Sequence, residues 1–395
     1  MKQFPFTDWS LKIPHSVIYP TEQFIHYLRV NPCCEVYELT EHFLPERLSV
    51  HLPNQRSALL EQKSFTTQYL VKAYPSLGVY SDSGLLRCSN NKLMYEFNQE
   101  NRDEVKSGDV SLAKACFKSF ISGINSKKTP EFTLPPGWYA ASRGKNVYRK
   151  RITHITTHNN PNYFHWFTMP GQSSLFLEDL FLDKHERSGP VVVTHSPRSQ
   201  LPDFARSILN ITTPQRNIHC IKSGLSLIGC NFSLQRHRTP VAISPKLTHW
   251  LSHKVKMLLD DQIHPKELVY ISRGKSKKRA CINELEIYAA LAPLGFQMRC
   301  LDSLTVQDQL SLFRQAACII SPHGAALTNL IACYPKTTVI ELIPGYGDFS
   351  HYYLISDLLG LQHGHVIGRC IDDKTSSFSV NPLDVLAILN QFSIC

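Results

Sequence analysis

The 395-residue chain lacks a long apolar run, since none approaches the roughly 18–20 residues that a membrane-spanning helix requires. The N-terminal stretch MKQFPFTDWSLKIPH also lacks the continuous apolar region of a secretory signal peptide. The 12 cysteines form no CxxC pair, and several lie in apolar runs, a distribution typical of reduced, buried thiols. These absences predict a cytoplasmic protein, and peripheral contact with a membrane is compatible with them.

Motifs for metal and nucleic-acid binding are also missing. There is no HExxH sequence and no evident DxD pair, so the sequence predicts no metal site. His249 and His253 have i, i+4 spacing without a third ligand, and we expect them at the surface or in packing. The 42 Lys and Arg residues against 32 Asp and Glu residues give a formal charge of +10, which favours an anionic partner. Without an RRM, HTH or zinc-finger pattern, nucleic acid is the less favoured partner, although the run RGKSKKR keeps it as an alternative.

The composition is that of a globular protein, with 43% hydrophobic and 19% charged residues. The patterns divide the chain into an irregular N-terminal extension (1–64), a first domain (65–238) and a second domain (239–395). In the first domain we predict a hairpin near 80–97, with its turn at Ser89-Asn-Asn91, and a long loop at 126–146. A β-α-β stretch is predicted over residues 190–221.

The second domain alternates apolar runs of strand length with helical patterns. Two capping boxes, Asn283 with Glu286 and Thr305 with Asp308, predict helix starts. The predicted elements are helices at 245–259, 283–292 and 306–316, and strands at 268–272, 297–301, 318–320 and 338–342. Regular alternation with short connections predicts a parallel, doubly wound α/β sheet, whose ligands bind at the carboxyl ends of the strands.

The turn SPHGAALTN (321–329) follows one of these strands and is predicted to start a helix near Ala325. The free N–H groups at a helix start form an anion site. Gly324 would let a phosphate approach the backbone closely, and His323 at the mouth would donate to a phosphate oxygen. A tight turn with a structural histidine is the alternative. The residues predicted to hold phosphate or sugar oxygens are Ser321, His323, Gly324, Ala325, Thr328 and Asn329.

A second turn, ISRGKSKKRACINELE, places Arg273 directly after the strand at 268–272. A guanidinium in this position can bind a diphosphate through two parallel hydrogen bonds. Lys275, Lys277, Lys278 and Arg279 follow; for the lysines, a solvated loop is the alternative. Two such turns in one sheet predict one anionic ligand that spans the crevice between them.

The segments YISRGKSKKRACINELEIYAALAPLGFQ and FRQAACIISPHGAALTNLIACYPKTTVIEL resemble the core of glycosyltransferase family 61. That family has an I-S-R … R-x-x-x-N-E element, then G/S-P-H-G-A-x-L-T-N, then V-I-E-L. Upstream, NPNYFHWF (160–167) resembles the family's N-Y-Y-H-W element. The resemblance covers about residues 65–390.

The resemblance implies a GT-B fold, in which two Rossmann-like, doubly wound domains face a cleft. The second domain would bind a UDP-sugar and the first most of the acceptor, which would be a glycan, a lipid-linked glycan or a protein. Transfer would invert the anomeric centre and need no cofactor. Arg273, Arg279 and the turn from Ser321 to Asn329 would hold the diphosphate, and Glu341 would face the ribose or the sugar. Asn283 and Glu284 match family positions but equally well cap their helix.

The sequence departs from the family pattern after His165-Trp166, where many members carry an acidic residue that is a candidate base. The run to Pro170 contains no acid. Imidazole can act as a base near neutral pH, so His165 is the predicted base. Three alternatives stay open: Glu178 or Asp179 takes the proton, the aromatic run only packs, or the chain binds a nucleotide sugar without catalysis.

Overall fold

The computed structural model describes residues 21–53, 55, 64–74, 78–82, 85–88, 94–96, 151–156, 162–168, 170–195, 201–222, 225–228, 230–237, 243–259, 264–274, 276, 278–345 and 350–392. The α-helices are α1 (Thr21–Val30), α2 (Tyr163–Thr168), α3 (Pro170–Phe181), α4 (Asp203–Thr212), α5 (Pro245–Leu258), α6 (Glu284–Leu291), α7 (Val306–Gln315), α8 (His351–Leu358) and α9 (Pro382–Gln391). Short 3₁₀ helices span Ala292–Leu294 and Ala325–Ala332. The strands are β1 (Cys34–Phe43), β2 (Ser64–Ala73), β3 (Gly78–Asp82), β4 (Leu85–Cys88), β5 (Met94–Glu96), β6 (Ile152–Thr156), β7 (Val191–His195), β8 (Ile218–Lys222), β9 (Leu225–Ile228), β10 (Cys230–His237), β11 (Glu267–Ser272), β12 (Gln297–Cys300), β13 (Ala316–Pro322), β14 (Thr338–Ile343), β15 (Gln362–Ile367), β16 (Arg369–Asp372) and β17 (Ser377–Ser379).

The second half of the chain forms the predicted parallel sheet, with strand order β12-β11-β13-β14-β15. Successive residues of its strands enter different clusters. Ile319 and Val339 pack with α7, whereas Ile320 and Ile340 pack with α6 and α9. Helices therefore cover both faces, which confirms the doubly wound prediction for this half. The strand order reverses between β11 and β13, and ligands of such sheets bind outside the carboxyl ends at that position.

The first half is less regular than a Rossmann-like domain. Its main sheet has the order β1-β2-β10-β6-β7-β8 and is parallel only from β10 to β8. A separate antiparallel sheet, β5-β4-β3-β9, contains the predicted hairpin as β4 and β5. The predicted hairpin turn and the predicted loop at 126–146 lie outside the described residues. Strands β7 and β8 with α4 confirm the β-α-β prediction.

The N-terminal 64 residues are more ordered than the sequence predicted. Their described part contains α1 and β1, and β1 pairs with β2 along its whole length. The prediction of irregular structure is wrong for this part because a charged side chain hides the strand pattern. Glu41 points inward, is only 8% exposed, and accepts hydrogen bonds from the Lys246 N–H at 2.9 Å and from the Ser244 hydroxyl at the start of α5.

One buried hydrophobic cluster contains residues of both halves. Val191 and Leu209 from the first half, Leu247 of α5, and Val269 and Leu330 from the second half all belong to it. The helix α5 follows β10, the last strand of the first sheet, along the chain. This shared core holds α2 of the first half against the turn that follows β13.

The structure also bears on the predictions about the cysteines and about membrane-spanning helices. Cys318 and Cys333 are buried cysteine thiols, as predicted. Among the helices that the structure describes, none is long and apolar enough to cross a bilayer.

Candidate active site

The two predicted turns meet at the carboxyl ends of β11 and β13. Arg273 follows β11, and its Nη1 donates a hydrogen bond of 2.7 Å to the carbonyl oxygen of His323, which follows β13. Its Nη2 donates to Ser276 Oγ and to the Lys278 carbonyl oxygen, both at 3.0 Å. The structure therefore brings the basic turn and the SPHG turn together at the point where the strand order reverses.

Gly324 leaves space for the guanidinium of Arg273. A Cβ atom at this position would lie 1.8 Å from Arg273 Nη1. The φ angle of 176° is extended backbone that any residue adopts, so the need for glycine is one of space. The sequence predicted that Gly324 lets a phosphate approach, whereas the structure places the guanidinium of Arg273 against it. Any side chain here would displace the guanidinium from the turn.

Arg273 and Arg279 form a pair of like charges. Burial lowers the pKa of Arg273, and the positive charge of Arg279 lowers it further. Both guanidinium groups stay charged, because arginine is not deprotonated in proteins. The backbone of Arg279 is left-handed, with φ of 54°, and its N–H donates to the Thr375 carbonyl oxygen at 2.7 Å. A bound anion would relieve the repulsion between the two cations.

Glu284 fixes the turn that carries Arg273. Its carboxylate accepts hydrogen bonds from Ser272 Oγ at 2.7 Å, from the Arg273 N–H at 3.1 Å and from the Tyr270 hydroxyl at 3.3 Å. Glu284 is also the first residue of α6, and a negative charge at the start of a helix is favourable. Glu284 therefore positions Arg273 in addition to its place at the helix start.

Asn283 occupies the predicted N-cap position of α6, but its side chain does not cap the helix. Instead, its amide pairs with the backbone of Val380, accepting from the N–H at 3.1 Å and donating to the carbonyl oxygen at 2.8 Å. The predicted capping bond is wrong because this pairing takes the side chain. The other capping box is confirmed, since the Thr305 side chain accepts from the Asp308 N–H.

His323 points inward instead of lying at the mouth of the turn. It is 3% exposed, and its Nδ1 lies 2.5 Å from Glu341 Oε1. The other oxygen of Glu341 lies 3.3 Å from His363 Nε2. Burial alone would raise the pKa of Glu341, but the hydrogen bonds and charges of these two histidines lower it to about 2. The fully buried Glu341, expected to face the ribose or the sugar, is therefore an ionised partner of His323.

The SPHG turn continues into a 3₁₀ helix, Ala325–Ala332, where the sequence predicted a helix start near Ala325. Thr328 and Asn329, expected to reach a phosphate or sugar oxygen, are both fully buried. Asn329 Oδ1 accepts from the Tyr163 hydroxyl at 2.6 Å, and its Nδ2 donates to Gln309 Oε1 at 3.1 Å. Asn329 thus ties the YFHW segment of the first half to the turn of the second half.

His165, the predicted base, lies close to this turn. The neighbouring ring of Phe164 packs edge-on against His351, with centroids 4.9 Å apart, and against Tyr352 at 5.7 Å. Burial lowers the pKa of His351 to about 3, and the nearby rings of His323 and His165 contribute to the shift. The structure therefore brings the YFHW segment and the SPHG turn to one site, as the sequence predicted.

The partly exposed groups of this site form what we call the cationic rim. The rim consists of His165, Arg273, Arg279, Ala325 and His351, all of intermediate burial. Sequence reasoning missed His351, because the start of α8 carries no motif that would have singled it out. The remaining predicted site residues lie behind the rim and are buried: Ser321, His323, Gly324, Thr328, Asn329 and Glu341.

Neither of the alternative bases is available to the rim. Glu178 is 1% exposed and accepts from Arg216 Nη1 at 2.8 Å and Asn231 Nδ2 at 2.7 Å. Asp179 accepts from Trp250 Nε1 at 2.8 Å and pairs with Lys254 Nζ at 3.0 Å. Glu178 thus binds β10 of the first sheet and Asp179 binds α5, and among the described residues His165 stays the predicted base of this half.

Within the described residues, no three His, Cys, Asp or Glu side chains are grouped so that they could hold a metal ion. His249 and His253 are exposed on α5, in agreement with the sequence interpretation. The charges that face the site are therefore arginine guanidinium groups and imidazole rings. Such a set can bind a diphosphate and move one proton.

Comparison with known proteins shows which protein family this part of the chain resembles. Residues 151–340 match the family model described as Glycosyltransferase 61. The match contains the YFHW segment, both basic and SPHG turns, and ends within β14. It confirms the family resemblance that the motifs predicted.

Two plant proteins are similar to parts of the chain. Beta-1,2-xylosyltransferase RCN11 of Oryza sativa subsp. japonica is 30% identical over 98 residues, which cover 23% of this chain and 18% of that protein. Beta-1,2-xylosyltransferase of Arabidopsis thaliana is 33% identical over 60 residues, 15% of this chain and 11% of that protein. The similarity thus spans less than a fifth of either relative.

Proposed function

The chain carries a glycosyltransferase family 61 region at residues 151–340, and we propose that it is a glycosyltransferase that takes its sugar from a UDP-sugar. The observation that carries this proposal is the pair Arg273 and Arg279 beside the SPHG turn, where the strand order of a parallel sheet reverses. Open α/β sheets bind their ligands at this position. A diphosphate is the part of a sugar nucleotide that such a pair binds most strongly.

The proposed role of the arginines follows from the chemistry of the leaving group. In the transfer, the bond between the anomeric carbon and the β-phosphate oxygen breaks, and UDP leaves with the bonding electron pair. Arg273 and Arg279 stabilise the negative charge that develops on the phosphate, because fixed donors in a water-poor site are strong electrostatic stabilisers. His323 supports Arg273 from behind the rim, since its Nδ1 is bonded to Glu341 and its carbonyl oxygen accepts from Arg273 Nη1.

His165 is proposed to accept the proton of the acceptor hydroxyl. The hydroxyl oxygen attacks the anomeric carbon on the face opposite to UDP, so the anomeric configuration inverts. A general base next to the attacking hydroxyl typically contributes about 10²–10⁴-fold to the rate. The position of His165 on the same rim as Arg273 supports this role.

The acceptor and the transferred sugar follow from the resemblance and from the relatives. A glycan, a lipid-linked glycan or a protein would reach the rim from the first half, in a GT-B arrangement with the cleft between the two sheets. Hexosyl and pentosyl donors both fit the family. A pentosyl donor is the first to test, because both plant relatives are named xylosyltransferases.

A second candidate is a protein that binds a nucleotide sugar without transferring it. The observation that favours this alternative is the commitment of Glu178 and Asp179 to other partners, which leaves an imidazole as the proposed base. Release of UDP from a donor separates the two candidates, since both bind UDP but only an enzyme turns the donor over.

The corresponding prediction is that the protein turns over its donor in the presence of EDTA. Purified protein incubated with UDP-xylose and other UDP-sugars is expected to release UDP at the same rate with and without EDTA, because arginines take the place of a cation. Coupled detection of UDP measures the rate. Loss of activity in EDTA that Mn²⁺ restores would contradict metal independence, and binding of donors without any release would favour the second candidate.

A further inference from the structure

A short N-terminal segment, residues 46–53, lies along the edge of the second sheet; we call it the N-terminal strap. The Val50 N–H donates to the His363 carbonyl oxygen at 2.8 Å, and the His365 N–H donates to the Val50 carbonyl oxygen at 2.9 Å. The N–H groups of Glu46 and Arg47 donate to the carboxylate of Asp357, both at 3.0 Å. The Val50 bonds join the strap to β15, and the bonds to Asp357 join it to α8.

The strap places one hydroxyl between two buried histidines. Ser49 is 2% exposed, and its Oγ lies 2.7 Å from both His363 Nδ1 and His365 Nδ1. His363 Nε2 lies 3.3 Å from one oxygen of Glu341, whose other oxygen lies 2.5 Å from His323 Nδ1. A continuous hydrogen-bonded chain therefore runs from the strap across β15 and β14 to the SPHG turn.

The protons of this chain have one arrangement when the rings of His363 and His365 are neutral. The ionised Glu341 can only accept, so His363 carries its proton on Nε2 and has a bare Nδ1. The Ser49 hydroxyl then donates to His363 and accepts from Nδ1–H of His365. Burial and the neighbouring His363 lower the pKa of His365 to about 3, which keeps that ring neutral. In this arrangement His365 Nε2 carries no proton, and it has no hydrogen-bond partner among the described residues.

We propose that Ser49 is a positioning residue of the donor site: through His363 it orients the Glu341 carboxylate, which holds His323, whose carbonyl oxygen in turn accepts from Arg273 Nη1. The proposal rests on the proposed function, since that function assigns Arg273 to the diphosphate. It extends the site to residues 49 and 363, which both lie outside the 151–340 region of the family match. The N-terminal strap is then part of the donor site as well as the cover of a sheet edge.

The orientation of this hydrogen-bonded chain matters because the Glu341 carboxylate has two histidine partners. Only one position of the carboxylate keeps it bonded to the SPHG turn. Among the described residues, Ser49 is the hydrogen-bond partner of His363 Nδ1, so without its hydroxyl the imidazole can rotate away from the carboxylate. Hydrogen-bond partners of this kind commonly set the tautomer and the direction of a histidine ring. The expected defect is therefore in phosphate binding.

The test compares three variants of the full chain in UDP binding by calorimetry. Ser49→Ala is expected to weaken UDP binding roughly three- to tenfold, the change that one net hydrogen bond makes, and Ser49→Thr is expected to restore most of it. Ser174→Ala is the matched control. Ser174 is also buried, and its Oγ lies 2.8 Å from Ser233 Oγ within the first sheet, so its loss is expected to lower thermal stability without affecting UDP binding.

Histidine tautomers give a readout that needs no ligand. In protein labelled with ¹⁵N-histidine, the expected spectrum has His365 protonated at Nδ1 and His363 at Nε2, with each ring assigned from its substitution by Asn. Ser49→Ala is expected to shift the His363 and His323 signals. If Ser49→Ala does not fold, the wild-type tautomers decide: a His363 ring without a proton on Nε2 overturns the chain, because the ionised Glu341 can only accept.

The outcomes separate this inference from the function on which it rests. Absence of UDP binding by the wild-type protein contradicts the proposed function, whereas the tautomer pattern still tests the chain. Unchanged UDP affinity in a folded Ser49→Ala protein overturns the positioning role, whatever the tautomers are. Equal weakening in Ser49→Ala and Ser174→Ala also overturns it, because loss of stability would then explain both.

Discussion

Replacing Arg273 with Ala is expected to weaken UDP binding by a few kcal/mol. Hydrogen bonds to charged groups are worth about 1.5–3 kcal/mol each, and a guanidinium can form two to a diphosphate. The substitution also removes the 2.7 Å bond that holds the basic turn to the His323 carbonyl oxygen. Isothermal titration of UDP into the variant measures the loss directly.

Two further variants show whether the guanidinium is responsible. Arg29→Ala is the matched control, because Arg29 is an exposed arginine on α1, in the first half of the chain. Gly324→Ala should weaken binding while Arg273 is still present, since the added Cβ would lie 1.8 Å from Nη1 and displace the guanidinium. Wild-type affinity for UDP in a folded Arg273→Ala protein would remove the donor-site assignment.

Loss of the His165 imidazole should affect the rate and leave donor binding nearly intact. His165→Ala is expected to lower kcat by roughly 10²–10⁴-fold, because a general base contributes in that range. Steady-state kinetics with the active donor, together with UDP titration, separates the two effects.

The control for this substitution is His249→Ala, which removes an exposed imidazole from α5 outside the rim. A His165→Ala enzyme that keeps most of its kcat would mean that another group takes the proton. That group would be neither Glu178 nor Asp179, which are held by Arg216 and Lys254, nor His351, whose pKa of about 3 makes it a weak base.

The second half could be predicted from the sequence as far as β14, because β11, β13 and β14 are short apolar runs that alternate with helix signals. Thr305 caps α7 as expected, and β13 and β14 appear where the apolar runs lie. The location of the site also followed from chain order, because parallel strands bring the turns after β11 and β13 to the same edge.

Contacts between segments distant in sequence could not be predicted. Glu41 looks like a surface residue in the sequence but faces inward to bind the start of α5. The N-terminal strap is held by backbone hydrogen bonds to β15, and such bonds leave no periodic pattern of side chains in the sequence. Asn329 carries a group suited to phosphate binding, yet Tyr163 and Gln309 take both of its polar atoms.

The inner part of the site shows the same limit. The resemblance assigned Glu341 to the ribose or the sugar, because the family motif ends with this residue. Only the register of β14 with β15 shows that His363 lies beside it and that the carboxylate is enclosed. Motifs thus named the candidate residues, and the fold decided which of them are partly exposed and which are buried.

The central claim is that the cationic rim binds the diphosphate of a uridine nucleotide, and calorimetric titration of the wild-type protein with UDP and with uridine tests it most directly. UDP is expected to bind at least about tenfold more tightly than uridine, a difference that one charged hydrogen bond already provides, and raised salt should reduce that difference. Equal affinity for UDP and uridine, or no binding of UDP, would contradict the account.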